Sequence, residues 1–497
     1  MMSDEMLLAI LVVGLGGLAF HEFYSSLSPF DAGLLIICII VFLATALIFA
    51  WDRFSKHGRD RRKRLETIRE LPKELLAKSE NSVYLGKEVE LDIPLYFPDT
   101  IRSRHMHILG ATGSGKTESI VLNFLKQDVE RGKGAIVLDA KGDASFSWAL
   151  KSWVPDEKLR VFDLGSEESL TYDPLAIGTP HEAAQRLFSS FTWSEEYYKS
   201  KAFSALQKLF ESHFEKNERN PKLTDLLEYL EDSELYISCT TGKSYPKKLA
   251  ERDFGELSGL RDQLRSLCTG YLSKILSPES NSEMNLEEAQ NGNVLYFRLQ
   301  SLMSPQIVAT LGKLLINHLN FLAGTAHRNE QNAKEVKLIP TYLDEFASFA
   351  CPEFADLISK ARSAGLALHF SHQSIGDLTE VSQGFLNRIT DNSATKIIMR
   401  INDPDSADFF ARSFGTKLYQ KVTQRVTNSE DIESAEAIGE GSQREAHQFR
   451  ASPDLFKTLP TGMGSVLIAH GQDTPHGASS VFKVRFPRIS GSEGEDQ

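Results

Sequence analysis

Residues 105–117 read HMHILGATGSGKT, and this stretch decides how the rest of the chain is read. Its last eight residues fit G-x-x-x-x-G-K-[ST] at every fixed position. Ahead of them, residues 105–109 have the composition of a short buried strand. Behind them, residues 118–130 (ESIVLNFLKQDVE) predict a helix with Ile120, Val121, Phe124, Leu125 and Val129 as its apolar residues. Strand, glycine-rich loop and helix in that order make a phosphate cradle. Gly110, Gly113 and Gly115 let the backbone N–H groups around Ala111, Thr112 and Ser114 turn inward, and the helix start adds positive potential. Lys116 reaches the β- and γ-phosphates and Thr117 offers its hydroxyl to Mg²⁺, so ATP with Mg²⁺ is the expected ligand.

Such a loop works with an acid at the tip of a buried strand, which holds the metal's water shell, and usually with a second acid that prepares the attacking water. Residues 338–345 (LIPTYLDE) supply both, Asp344 for Mg²⁺ and Glu345 for the water. Pro340 has no N–H to give, so strand pairing is expected to begin only after it. Residues 365–370 (GLALHF) predict another buried strand, leading into Ser371, His372, Gln373 and Ser374. Gln373 at that tip suits a bridge from the γ-phosphate or the water to the rest of the subunit. Residues 354–364 (FADLISKARSA) predict a helix with Arg362 near its C-terminal end. Spacing alone leaves Arg362 two readings: a plain surface arginine, or a finger onto a neighbour's γ-phosphate in a ring.

The chain has 497 residues, room for about three folded units at roughly 150 residues each. Its 41% hydrophobic and 25% charged content suits buried cores and excludes a disordered or collagen-like chain. Cys38, Cys239, Cys268 and Cys351 lack any CxxC or CxH spacing, which argues against a zinc site or a disulfide framework. A net charge of −12 excludes a generally basic coat for nucleic acid. DNA contact would have to be local or inside a pore, sequence-independent and salt-sensitive. Lys396 and Arg400 in TKIIMRI (residues 395–401) alternate with apolar residues and predict a strand with one polar face, solvated or pore-lining. Residues 427–448 are polar and charge-rich and predict a mobile insertion, with loop and helix both open.

Two runs are uncharged: residues 6–20 (MLLAILVVGLGGLAF) and 33–51 (GLLIICIIVFLATALIFAW). The second approaches the roughly 20 residues that cross a bilayer, and the first must extend through residues 21–24 or sit in thinned lipid. The acidic start MMSDE, with no small-residue cleavage site behind the first run, argues against a signal peptide. RFSKHGRDRRKR (residues 53–64) follows the second run, while residues 21–32 have no Lys or Arg, so both ends are expected in the cytoplasm. Residues 1–64 thus predict a transmembrane hairpin with a basic cytoplasmic flank, the bases serving as topology signal and headgroup contact.

Together these residues resemble the type IV coupling proteins of bacterial conjugation and type IV secretion. The likeness runs through the apolar hairpin, GATGSGKT, residues 139–142 (DAKG), 172–175 (YDPL), 294–299 (VLYFRL), 343–346 (LDEF), 361–366 (ARSAGL) and 371–374 (SHQS). It implies an α/β fold: a RecA-like P-loop NTPase domain over residues 65–176 and 289–490, an inserted all-helical domain over 177–288, the N-terminal two-helix transmembrane hairpin, and a disordered tail over 491–497. It implies the roles given above for Lys116, Thr117, Asp344 and Glu345, places Gln373 at the γ-phosphate-sensing glutamine, and places Arg362 at the trans-acting arginine. The implied activity is ATP hydrolysis by a homo-hexamer at the bacterial inner membrane. It would drive or gate single-stranded DNA, with its relaxase and relaxosome, toward a type IV secretion channel.

Residues 195–216 and 223–232 have the helical spacing that the inserted domain requires. Lys243, Lys247, Lys248 and Arg252 are its densest bases, and a solvated helix face accounts for them as well as a DNA contact does. Two features depart from the family: a short loop between the apolar runs and a short acidic tail in place of a long recruiting one. Two other functions stay open, a double-stranded DNA pump with the same engine and a receptor that delivers protein effectors. Every motif quoted acts on ATP and none reads cargo.

Overall fold

The computed structural model describes residues 71–242, 245–328, 337–426, 437–469 and 479–489, together with residues 41, 42, 44 and 45. The chain divides into two units, residues 1–70 and 71–497. In the first, Val41, Phe42, Ala44 and Thr45 are helical. The rest of both apolar runs, the basic flank, Lys243 and the 491–497 tail lie outside the described residues.

The second unit is built on strands β1 (Ser82–Glu88), β2 (Pro94–Pro98), β3 (Met106–Leu109), β4 (Ala135–Asp139), β5 (Leu159–Asp163), β6 (Val294–Arg298), β7 (Ile339–Asp344), β8 (Leu366–His372), β9 (Thr395–Ile398), β10 (Thr416–Val426), β11 (Ala437–Phe449), β12 (Met463–Ala469) and β13 (Ser479–Arg485). Eleven of them form one sheet in the order β2-β1-β13-β12-β9-β3-β8-β7-β4-β6-β5. From β9 to β5 the pairing is parallel, and from β9 through β12, β13 and β1 to β2 it is antiparallel. Every residue of β3, β4, β7, β8 and β9 is buried, because helices cover both faces of a parallel sheet. The P-loop leaves the end of β3, and the tips of β7, β8 and β4 flank it at the same edge.

Pro340 lies inside β7, not ahead of it. Ile339 donates its N–H to Gly365 O and Pro340 is in register with Ala367, while pairing with β4 begins at Thr341. Alternate residues point their amides to opposite neighbours, so the missing N–H falls on the β4 side, where the ladder starts one residue later. The stretch after the P-loop opens as a π-helical segment, Lys116–Val121, before the α-helix Leu122–Glu130. The helix expected over residues 354–364 is an α-helix, Pro352–Lys360, followed by the 3₁₀ turn Ala361–Ala364.

Two expectations are corrected. Lys396 is on neither a solvated face nor a pore wall: it is 6% exposed, with its Nζ donating to Ser393 O at 2.8 Å. The alternation in residues 395–401 was real, but β9 lies between β3 and β12 and both of its faces are covered. Residues 437–448 are neither loop nor helix. They belong to β11, which pairs with β10 in a separate two-stranded ribbon. Residues 437–448 hold no alternation of apolar and polar residues, so no period of two marks the strand in the sequence. Residues 427–436 lie outside the described residues.

Between β5 and β6 the regular elements are helices: Pro180–Ser190, Glu196–Asn217, Leu223–Glu231, Ser233–Thr240, Lys247–Gly255, Ser258–Leu267 and Leu272–Leu276, then the 3₁₀ segment Leu286–Asn291. Thr179 and Glu182 form a capping box at the first, with Pro180 in its opening turn. Leu206, Leu209, Leu226 and Leu264 of this stretch share one hydrophobic cluster with Ile136, Phe297 and Leu343 of the sheet. Pro305–Arg328 is, among the described residues, the one helix long and apolar enough to cross a membrane. Here Leu311, Leu314, Leu315 and Leu319 pack it into that cluster as a core helix.

Candidate functional site

The P-loop is shaped by close contacts. A β-carbon on Gly110 would stand 2.6 Å from Ser114 Oγ and 3.0 Å from Met399 Cβ, and Gly115 holds φ 98, in the left-handed region. Gly110 N–H donates to His372 O at 3.3 Å and Ala111 N–H to Arg400 O at 2.7 Å, which fixes the loop to the ends of β8 and β9. Lys116 is 5% exposed, and its Nζ donates to Gly110 O at 2.7 Å. Burial pulls the ammonium's pKa down, against the attraction of Glu345 and Asp344.

Asp344 and Glu345 stand where β7 ends. Thr117 Oγ1 donates to Asp344 Oδ2 at 2.8 Å, and Ser371 Oγ bonds the other carboxylate oxygen. Glu345 has φ 50, left-handed for a non-glycine residue, with its N–H on Ser371 Oγ at 3.3 Å. Gln373 joins the two halves: its Oε1 accepts from Thr112 Oγ1 at 2.9 Å and its Nε2 donates to Glu345 Oε2 at 3.1 Å. Asp377 holds that corner by accepting the backbone N–H groups of Gln373 and Ser374 at 2.9 and 3.0 Å. Burial would raise its carboxyl, but His372 and these N–H groups outweigh it and bring the pKa down to about 2.

Thr112, Lys116, Thr117, Asp344 and Glu345 line a cavity of roughly 370 Å³. Asp139, at the end of β4, lines it too. Burial, with Asp344 adding like charge, raises its pKa to about 6 even though Gly142 N–H and Tyr296 Oη donate to it. Lys141 lines the same wall, paired with Asp143 at 2.7 Å. Lys116, Thr117, Asp344, Glu345 and Gln373 are therefore brought together. Arg362 is not among them: it is exposed, in the turn that precedes β8, at the opposite end of that strand from Gln373. Seven residues at about 3.3 Å each put them ~23 Å apart.

Sequence reasoning missed Lys141, Ser371 and Asp377, and also Thr461 and Arg488, which line the cavity from the far end of the chain. Thr461 and Arg488 carry no local motif, and only the insertion of β12 and β13 beside β9 brings them in. The residues present fit a nucleoside triphosphate with Mg²⁺. Ser114 Oγ is a buried hydroxyl with no partner among the described residues, and the Thr117–Asp344 pair offers the oxygen donors that Mg²⁺ takes.

A mixed sheet with a glycine-shaped phosphate loop facing a carboxylate pair defines the class, a P-loop nucleotide-binding α/β protein. Residues 92–253 match the family model of the type IV secretion-system coupling protein DNA-binding domain, and residues 339–460 match that of the TraM recognition site of TraD and TraG. The type 4 coupling protein DotL of Legionella pneumophila subsp. pneumophila is 24% identical over 425 residues, 70% of this chain and 54% of that protein, so the chain spans about half of DotL's length. Among solved structures, the unbound bacterial conjugative coupling protein TrwBdeltaN70 superposes with a TM-score of 0.61 at 15% identity, over 84% of this chain and 90% of that one. The plasmid coupling protein TrwB bound to the ATP analogue ADPNP gives 0.60 at 15% over 84% and 91%. VirB4 of Thermoanaerobacter pseudethanolicus gives 0.55 at 14% over 83% and 98%. The chain belongs to the type IV coupling proteins.

Proposed function

We propose that this chain hydrolyses ATP in this cavity and, through a RecA-like core anchored by its N-terminal hairpin, drives or gates the passage of relaxase-bound single-stranded DNA to a type IV secretion channel. The observation that carries the hydrolysis reading is the double contact of Gln373, to the phosphate loop through Thr112 and to the carboxylate of Glu345.

The backbone N–H groups of residues 113–117 hold the β-phosphate, and Lys116 exchanges Gly110 O for phosphate oxygens. Thr117 and Asp344 would hold Mg²⁺, which when bound neutralises charge on the β- and γ-phosphates. Glu345, tethered through its N–H and through Gln373, accepts the proton of the water that attacks in line. Gln373 Nε2, which gives one hydrogen to Glu345, has a second to donate to the γ-phosphate, so loss of that phosphate is transmitted into β8. Arg362, remote from the site of its own subunit, serves the neighbour's site in a homo-hexamer.

The family membership supports a type IV secretion role, and the matched DNA-binding domain supports nucleic acid as cargo. TrwB has been solved with an ATP analogue and with ADP and Mg²⁺, which supports the cofactor pair. One observation favours the rival reading, delivery of protein. On the helical stretch Lys201, Arg219 and Arg265 are engaged by Asp253, Asp225 and Glu231, which leaves less positive charge to attract a polyanion.

The test is steady-state ATPase activity of the full chain in lipid, with and without single-stranded DNA across a salt series. Stimulation that fades with salt is expected. Lys116→Ala is expected to abolish turnover, and wild-type turnover in that variant would sink the motor reading.

A further inference from the structure

The P-loop has a second wall that comes from the end of the chain. β3 stands between β8 and β7 on one side and β9, β12 and β13 on the other. Asp344 and Glu345 come off β7. From the opposite side, Gly462 N–H donates to Ser114 O at 3.0 Å and Thr461 Oγ1 to Gly113 O at 3.4 Å. Phe486 N–H donates to Gly462 O at 2.9 Å, which fastens the residues after β13 onto the same turn. Arg488 follows: a β-carbon on Gly462 would lie 3.5 Å from Arg488 Nε and 3.7 Å from Ser119 Oγ.

The cavity holds three cations, and two are engaged within the protein. Lys116 bonds Gly110 O, and Lys141 is paired with Asp143. Arg488 lines the cavity with an exposed guanidinium, and no carboxylate among the described residues pairs with it. The γ-phosphate end of a nucleotide is fixed by Thr117, Asp344, Glu345 and Gln373. The end that emerges on the β12–β13 side therefore carries the α-phosphate, the ribose and the base.

We propose that Arg488 is a nucleotide-binding residue that acts in cis on the α-phosphate, ribose and base end of ATP and ADP, with the 460–462 turn as its platform. This rests on the reading of the cavity as an ATP site. A guanidinium suits that end twice over, because it forks onto phosphate oxygens and stacks on a base. It makes affinity for nucleoside diphosphate, and the choice of base, depend on residues more than 340 positions beyond the P-loop.

The test is isothermal titration of the full chain in detergent, with Mg²⁺, against ATP, ADP and inorganic pyrophosphate, which fills the β- and γ-positions alone. Arg488→Ala is expected to weaken ATP and ADP roughly ten- to hundredfold, the range of a charge-assisted hydrogen bond, while pyrophosphate binding stays within about twofold. Arg488→Glu is expected to deepen the loss, and the exposed position leaves the melting temperature of both variants unchanged. Unaltered ADP affinity in Arg488→Ala would overturn the assignment, and so would an equal loss for pyrophosphate, which would place the guanidinium at the other end. A wild-type chain that binds neither nucleotide would instead overturn the ATP reading itself.

Discussion

Gln373 holds two partners, Thr112 and Glu345, that belong to opposite lips of the site. Its contact to Glu345 orients the carboxylate that takes the water's proton, so Gln373→Ala is expected to change ATP affinity less than kcat, which falls by roughly 10²–10³-fold, the cost of one preorganised donor. Titration of binding beside single-turnover hydrolysis checks this split. Lys396 makes a different point. Burial brings its pKa down to about 8, against the pull of Asp391. Below pH 8 it is charged in both folded and unfolded chains and its desolvation destabilises the fold. As pH rises from 8 toward 10.5 only the folded form sheds the proton, and that handicap fades. Lys396→Met is therefore expected to raise stability by about 2 kcal/mol at pH 7, with the gain shrinking above pH 8, as read from thermal unfolding across pH. The P-loop and the Asp344–Glu345 pair were legible because each is a short motif beside a buried strand. Lys396 was not, because alternation reports polarity and says nothing of what covers the second face.

At the scale of elements, the helix Pro305–Arg328 meets the 3₁₀ turn Phe346–Phe349 at Gly312, where a β-carbon would lie 2.4 Å from Phe349 Cβ. That turn begins immediately after Glu345. Gly312→Ala gains helix propensity of about 1 kcal/mol, yet the overlap involves a Cβ that cannot swing away, so a net loss of about 1–3 kcal/mol is expected. Thermal unfolding measures the loss, and hydrolysis is expected to fall with it as the turn displaces Glu345. The central strands and the helices between β5 and β6 could be read from apolar runs and 3.6-residue spacing. β10 and β11 could not, since their pairing spans a polar stretch with no turn motif.

For the whole molecule, the far placement of Arg362 divides one-chain chemistry from ring chemistry. Arg362→Ala is expected to bind ATP and fail to hydrolyse it, and mixing it with Glu345→Gln subunits is expected to restore part of the turnover. Measured rates across mixing ratios check this, and a mixture as inactive as its parents would remove the finger. The helices between β5 and β6 share the hydrophobic cluster of the sheet, so the motion available to them is that of a packed body, not of a tethered one. The sheet order has a consequence for biosynthesis. β13 pairs with β1, so the strand that joins the early β1–β2 hairpin to the rest of the sheet emerges from the ribosome after every other described strand. Through nearly all of translation that hairpin waits with an open edge, the state in which strands seek wrong partners, and a nascent chain stopped short of residue 479 would never seat it.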